Sequence, residues 1–213
     1  DTPTKVMQPM TEDRAYLRTS LISSLLHTLN YNENRKVKDV NIYEVSRVYT
    51  EGHEYERLGI VLSKDYKNTR WMKTPSCDFY TIKGAVEALF NRLGIKETYK
   101  VLENPCIELH PKRSAGIYVN NELVGFLGEV HPAYAQKEDL AGTYVCEINV
   151  QKLFGVELGE EMFKQISRLP AVERDLALVM NKDQNVGEII EAIYRTDKQM
   201  IKNVTVFDIY TGE

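Results

Sequence analysis

Apolar positions recur along this chain in two rhythms, and the change from one to the other marks its elements. Within Leu17 to Asn34, Leu21, Ile22, Leu25, Leu26 and Leu29 return every three or four residues, which places them on one face of a helix. Thr19 or Ser20 supplies a hydroxyl to cap its first turn. The rhythm then shortens. Val40 to Thr50 reads V-N-I-Y-E-V-S-R-V-Y-T, β-branched and aromatic, and L-G-I-V-L-S from Leu58 to Ser63 follows a polar connection, Glu51 to Arg57, that holds the turn residue Gly52. Two antiparallel strands are predicted. A second helix is expected over Asp78 to Leu93, where Phe79, Ile82, Val86, Leu89 and Leu93 form one stripe and Gly94 is placed to end it in a left-handed conformation.

Ala115 to Val119 and Leu123 to Val130 are apolar runs joined by Asn120-Asn121-Glu122, and asparagine tolerates the positive φ of a tight hairpin turn. His131-Pro132 closes that hairpin, because proline pushes its predecessor out of the helical region and itself suits a first helical turn. Thr143 to Val150 is a further strand. The stretch Gly155 to Glu161, with two glycines and three acidic residues, reads as a boundary between domains spanning 1–160 and 161–213. Beyond it, Asp175 to Met180 and Val204 to Tyr210 are strands. Between them Asn185 and Glu188 resemble a capping box before Val186, Ile189, Ile190 and Ile193, which share a helix face.

Composition narrows the functional classes. With 43% hydrophobic and 27% charged residues the chain is an ordinary globular one, not a disordered one. Its net charge of −4 excludes a dominant polybasic surface, and from Lys164 onward 7 basic residues face 8 acidic ones. Three widely spaced cysteines, Cys77, Cys106 and Cys146, fit reduced thiols in the cytoplasm better than a disulfide framework. Asp1 to Arg14 lacks the pattern of a signal peptide, and no apolar run approaches the length of a membrane span.

Candidate chemistry is sparse. No phosphate-loop, dinucleotide-binding or H-E-x-x-H signature occurs. Cys106, Glu108, His110 and His131 would need further ligands or an orienting partner to hold a metal or to act as a nucleophile and base, and the alternative is a structural thiol and imidazole. Glu103 and Glu108 are either paired carboxylates or a solvated strand edge. Trp71 and 13 tyrosines could stack on bases, or could be half-buried strand residues with hydroxyls at the surface. Arg174 beside Asp175 precedes the apolar strand at Leu176. It either fixes the strand entry through an ion pair or touches a nucleic-acid phosphate. No catalytic, cofactor-binding or metal-ligating residue is assigned.

Five segments in order carry a resemblance. They are Q-P-M-T-E-D-R-A-Y-L-R-T-S-L-I (Gln8 to Ile22), N-I-Y-E-V-S-R-V-Y (Asn41 to Tyr49), E-L-H-P-K-R-S-A-G-I-Y-V-N-N-E-L-V-G-F-L-G-E-V-H-P (Glu108 to Pro132), L-P-A-V-E-R-D-L-A-L-V-M (Leu169 to Met180) and V-T-V-F-D-I-Y-T-G (Val204 to Gly212). Together they resemble the beta-subunit family of bacterial phenylalanyl-tRNA synthetases over nearly the whole chain. The resemblance implies an α+β fold: an antiparallel class II synthetase-like sheet flanked by helices, then a truncated ferredoxin-like βαβ unit from an anticodon-binding domain.

It implies a non-catalytic scaffold that packs against the alpha subunit in a heterotetramer of two alpha and two beta subunits, and that contacts tRNA for phenylalanine. ATP and magnesium serve the whole enzyme, with no cofactor in this chain. The residues agree with lost activity: no glycine pair leading to an ATP-contacting Arg follows Gly128, and Glu44 to Arg47 alone is too common a spacing to assign ATP binding to Arg47. The chain is expected to be a fragment whose tail, lacking the third strand of its module, pairs with another chain or packs in a non-native way. A stand-alone assembly protein using the same fold is the alternative.

Overall fold

The computed structural model describes residues 3–12, 15–37, 40–50, 52–63, 76–102, 108–140, 142–159, 169–182 and 184–210. The chain divides into two compact units, Asp1–Phe163 and Lys164–Glu213.

The first unit is built on one antiparallel sheet of six strands in the order β1-β2-β6-β5-β4-β3. These are β1 (Asn41–Thr50), β2 (His53–Leu62), β3 (Glu97–Lys100), β4 (Leu109–Val119), β5 (Glu122–Val130) and β6 (Tyr144–Asn149). Helices α1 (Ile22–Glu33), α2 (Phe79–Leu93) and α3 (Pro132–Glu138) accompany it. Two apolar cores result. Leu21, Leu25, Leu26 and Leu29 of the α1 segment pack with Val48, Val61 and Val145, while Ile82, Val86 and Phe90 of α2 pack with Ile117, Cys146 and Ile148. Alternation along the strands makes this possible, since successive side chains of β2 and β6 point to opposite faces. β6, between β2 and β5, is buried along its whole length.

Local chemistry explains several element ends. Asp78 caps α2 by accepting from the Thr81 amide at 2.8 Å, and the Thr81 hydroxyl accepts from the Asp78 amide at 3.1 Å, a reciprocal capping box. Gly94 ends the helix at φ 69°. Asn120 and Asn121 join β4 to β5 with φ values of 49° and 65°, the left-handed pair that matches the twist of a two-residue hairpin. His131 caps α3, with Pro132 in its first turn.

Other expectations need correction. β2 begins at His53 rather than Leu58, because the polar residues His53 to Arg57 pair across a tight turn at Gly52 with Arg47 to Thr50 and Ser46. Phe90, not Leu93, anchors the α2 stripe, and Leu93 is exposed. β4 begins at Leu109 and crosses Pro111 through a register shift between Leu109 and Ser114, which suits a residue with no amide to donate.

The second unit contains α4 (Val186–Thr196), whose Val186, Ile189, Ile190 and Ile193 are half-buried together. Asn185 makes no side-chain cap bond, so the expected capping box with Glu188 is not formed. The Tyr194 hydroxyl accepts from the Val204 amide at 3.1 Å and ties the following segment to the helix. Asp175 to Met180 and Val204 to Tyr210 are not strands: they are exposed and carry no ladder among the described residues. A strand is defined by a neighbour that satisfies its amides and carbonyls, and among the described residues neither segment is paired with one.

Candidate functional site

Glu147 is the most unusual group in the first unit. It lies in the middle of β6, in a run Y-V-C-E-I-N that is otherwise buried and mostly apolar, and it is only 4% exposed. Its Oε1 accepts from the Leu21 amide at 2.6 Å and from the Ser20 hydroxyl at 3.1 Å. The Ser20 oxygen accepts in turn from the Ile22 amide at 3.1 Å. A strand carboxylate thus satisfies amide and hydroxyl donors at the start of α1, where a helix leaves its first N–H groups without intrahelical partners and favours negative charge. Burial pushes the Glu147 carboxyl above the ordinary glutamate range; the Leu21 amide, the Arg57 guanidinium and the Ser20 hydroxyl pull it back, and Glu108 adds to the rise. The Arg57 Nε is buried and has no hydrogen-bond partner among the described residues.

Arg18 forms the neighbouring contact. Its guanidinium pairs with Glu44 at 2.8 Å, donates to the Ser46 hydroxyl at 2.6 Å and donates from Nε to the Arg47 carbonyl at 3.1 Å. The Arg18 carbonyl accepts from the Tyr49 amide at 2.8 Å. Glu44 and Arg47, three residues apart in the sequence signature, therefore serve different partners: Glu44 holds Arg18, and Arg47 pairs with Glu54 at 2.8 Å. Both are engaged in sheet structure.

The remaining candidates are dispersed. Cys106, Glu103 and Trp71 lie outside the described residues. His110 Nδ1 accepts from the Lys112 amide and His131 Nδ1 from the Ala133 amide, which makes each imidazole a local turn or cap acceptor. The Glu108 carbonyl accepts from the His131 amide. Among the described residues no group of three or more His, Cys, Asp or Glu stands close enough to hold a metal. Arg174 is exposed and donates to the Glu173 carbonyl at 2.9 Å, and no ion pair to Asp175 forms among the described residues. Tyrosines 55, 99, 118, 134 and 194 are half-buried, whereas Tyr43 and Tyr210 are exposed.

A cleft of about 280 Å³ beside α3 is lined by Pro132, Ala135, Gln136, Glu129 and Asp139 among others. Of its two carboxylates, Glu129 is paired with Arg113 at 2.7 Å. Glu147, Arg18 and Arg57 escaped sequence reasoning. The signal for Glu147 was present, a lone acid in a strand with no polar face, but its partner lies 126 residues away.

Exposed apolar side chains mark surfaces rather than pockets. In the first unit Tyr43 and Val45 of β1, an edge strand, are exposed. In the second, Leu176, Leu178, Phe207 and Ile209 are 64%, 56%, 75% and 71% exposed.

Comparison with known proteins gives two family matches. Residues 1–150 match the phenylalanyl tRNA synthetase beta chain CLM domain, and residues 167–213 match the ferredoxin-fold anticodon binding domain. The chain is 36% identical over 220 residues to a phenylalanine–tRNA ligase beta subunit of Shouchella clausii (strain KSM-K16) and 37% identical over 223 residues to that of Streptococcus thermophilus (strain CNRZ 1066). Each alignment covers 99% of this chain and 27% of the relative. The beta subunit of Bacillus subtilis (strain 168) is 35% identical over 213 residues, covering 96% of the chain and 26% of the relative. The chain thus spans about a quarter of the length of the relatives it matches.

Proposed function

This chain belongs to the phenylalanyl-tRNA synthetase beta chain family, and we propose that it works as a non-catalytic scaffold in the ATP-dependent charging of tRNA with phenylalanine. In this reading the six-stranded sheet is a class II synthetase-like core that docks the alpha subunit of a heterotetramer, while the second unit contributes part of an anticodon-binding surface. ATP and magnesium belong to the whole enzyme, and no residue of this chain is assigned to them.

The observation that carries the non-catalytic part is the engagement of the polar groups on the α1 face of the sheet. Arg18 is taken up by Glu44, and Glu147 by the start of α1, so these charged groups are turned inward to hold the fold. The Arg47 guanidinium, at the position the sequence signature offers to ATP, is paired with Glu54. For the second unit, support comes from the anticodon-binding family match and from its exposed apolar segments, which suit a module completed by further contacts.

Two titrations test this. Calorimetry of the chain with ATP and magnesium is expected to give no stoichiometric heat; a micromolar, one-to-one isotherm would overturn the non-catalytic reading. Titration with tRNA for phenylalanine is expected to give weak, salt-sensitive binding from residues 164–213, whose 7 basic and 8 acidic side chains offer few phosphate contacts. Equal binding after deletion of those residues would contradict the anticodon assignment.

A further inference from the structure

Two segments of the second unit, 175–180 and 204–210, carry no ladder among the described residues, and both expose apolar side chains. Leu176, Leu178 and Val179 stand in solvent on the first, and Val206, Phe207 and Ile209 on the second. At roughly 100 Å² of apolar surface apiece, these six offer about 600 Å² per copy, so two copies reach the ~1,200 Å² of a small specific interface before any backbone is counted. Charge does not oppose such a contact. Residues 164–213 hold 7 basic and 8 acidic side chains, and within the two segments only Asp175 and Asp208 are ionised. The same inventory disfavours a polyanion as the occupant, because neither segment has a cation to meet a phosphate.

The two segments also match each other. An antiparallel register that sets Leu178 opposite Phe207 sets Leu176 opposite Ile209 and Val179 opposite Val206. It keeps the carboxylates apart, with Asp175 opposite Tyr210 and Asp208 opposite Ala177. Side chains alternate along a strand, so this register gathers Leu176, Leu178, Phe207 and Ile209 on one face. Within a single chain the pairing is not made: both segments are unladdered, and the Tyr194 hydroxyl holds the Val204 amide beside α4. We propose that two copies of this chain associate through their second units, residues 175–180 of each pairing antiparallel with residues 204–210 of the other. Each copy contributes one segment of each kind, so the two pairings close about a two-fold axis and leave neither segment over. The inference goes beyond the scaffold reading and does not rest on it.

Sedimentation equilibrium of the 213-residue chain tests the association. At micromolar concentration the expected mass is twice the 24.5 kDa of one chain. Leu178→Glu combined with Phe207→Glu is expected to return the mass to that of one chain, while the Leu127 amide in β5 keeps its protection from hydrogen exchange and so reports an intact first unit. Disulfide trapping reads the register. A Leu178→Cys chain is mixed with a Phe207→Cys chain, so that any 178–207 link found by peptide mapping joins two molecules. Its yield is expected to exceed by about tenfold that from Val179→Cys mixed with Phe207→Cys, whose side chains fall on opposite faces and cannot meet without backbone movement. The mass of one chain at every concentration would overturn the proposal, as would growth past two copies or a dimer that survives the double Glu variant. Equal yields of the two links would do so too. The mass measurement decides alone if the cysteine chains do not fold.

Discussion

Glu147 illustrates how one residue can hold an element in place at a cost. Burial raises its folded pKa above the ordinary value of 4.5, so the folded chain binds this proton more tightly than the unfolded chain does. The sign follows from linkage: the stability contributed by this group is fully present below the unfolded value and is lost as pH rises through the raised folded one. Glu147→Gln is therefore expected to flatten that segment of the stability–pH curve and, at neutral pH, to stay within about 1 kcal/mol of the parent because an acceptor remains. Glu147→Ala leaves the Leu21 amide and the Ser20 hydroxyl without it, and is expected to cost about 2 kcal/mol in urea denaturation. Cys146, the next residue, gives a second check. Its thiol is fully buried, and burial followed by the Glu147 charge pushes its ionisation upward, so it should resist iodoacetamide in the folded chain. Peptide mapping that finds Cys146 alkylated without denaturant would contradict that packing.

At the scale of elements, what the sequence reveals depends on how local the determining contacts are. The cap at Asp78, the left-handed stop at Gly94 and the Asn120-Asn121 turn each depend on neighbouring residues, and each is visible in the chain as written. The polar strand His53 to Arg57 was hidden because its cross-strand partners, rather than its own alternation, make it a strand. Asp175 to Met180 failed in the opposite sense: its apolar pattern is real, but a pattern cannot supply the neighbouring ladder. Glycine 94 offers a quantitative test. An added Cβ would meet the Gly159 carbonyl oxygen at 2.9 Å, and the backbone stands at φ 69°, so Gly94→Ala combines a clash with backbone strain. A loss of about 1–2 kcal/mol is expected by chemical denaturation. A neutral result would mean that the segment at Gly159, whose amide donates to the Gly94 carbonyl at 2.7 Å, yields without penalty.

For the whole molecule, the two units explain function in different ways. The first has an apolar core on each face of its sheet, with Arg18, Glu44 and Glu147 on the α1 face holding the start of that helix. The second places apolar side chains in solvent on extended segments. Both arrangements suit a part that supports a larger assembly. Arg174, the proposed tRNA contact, is exposed. The most direct measurement of the scaffold claim is size-exclusion chromatography with light scattering, after co-expression of this chain with the alpha subunit of a phenylalanine–tRNA ligase. Co-elution at the mass of a complex, stable to dilution, is the expected result. Separate elution of two folded proteins would contradict the account.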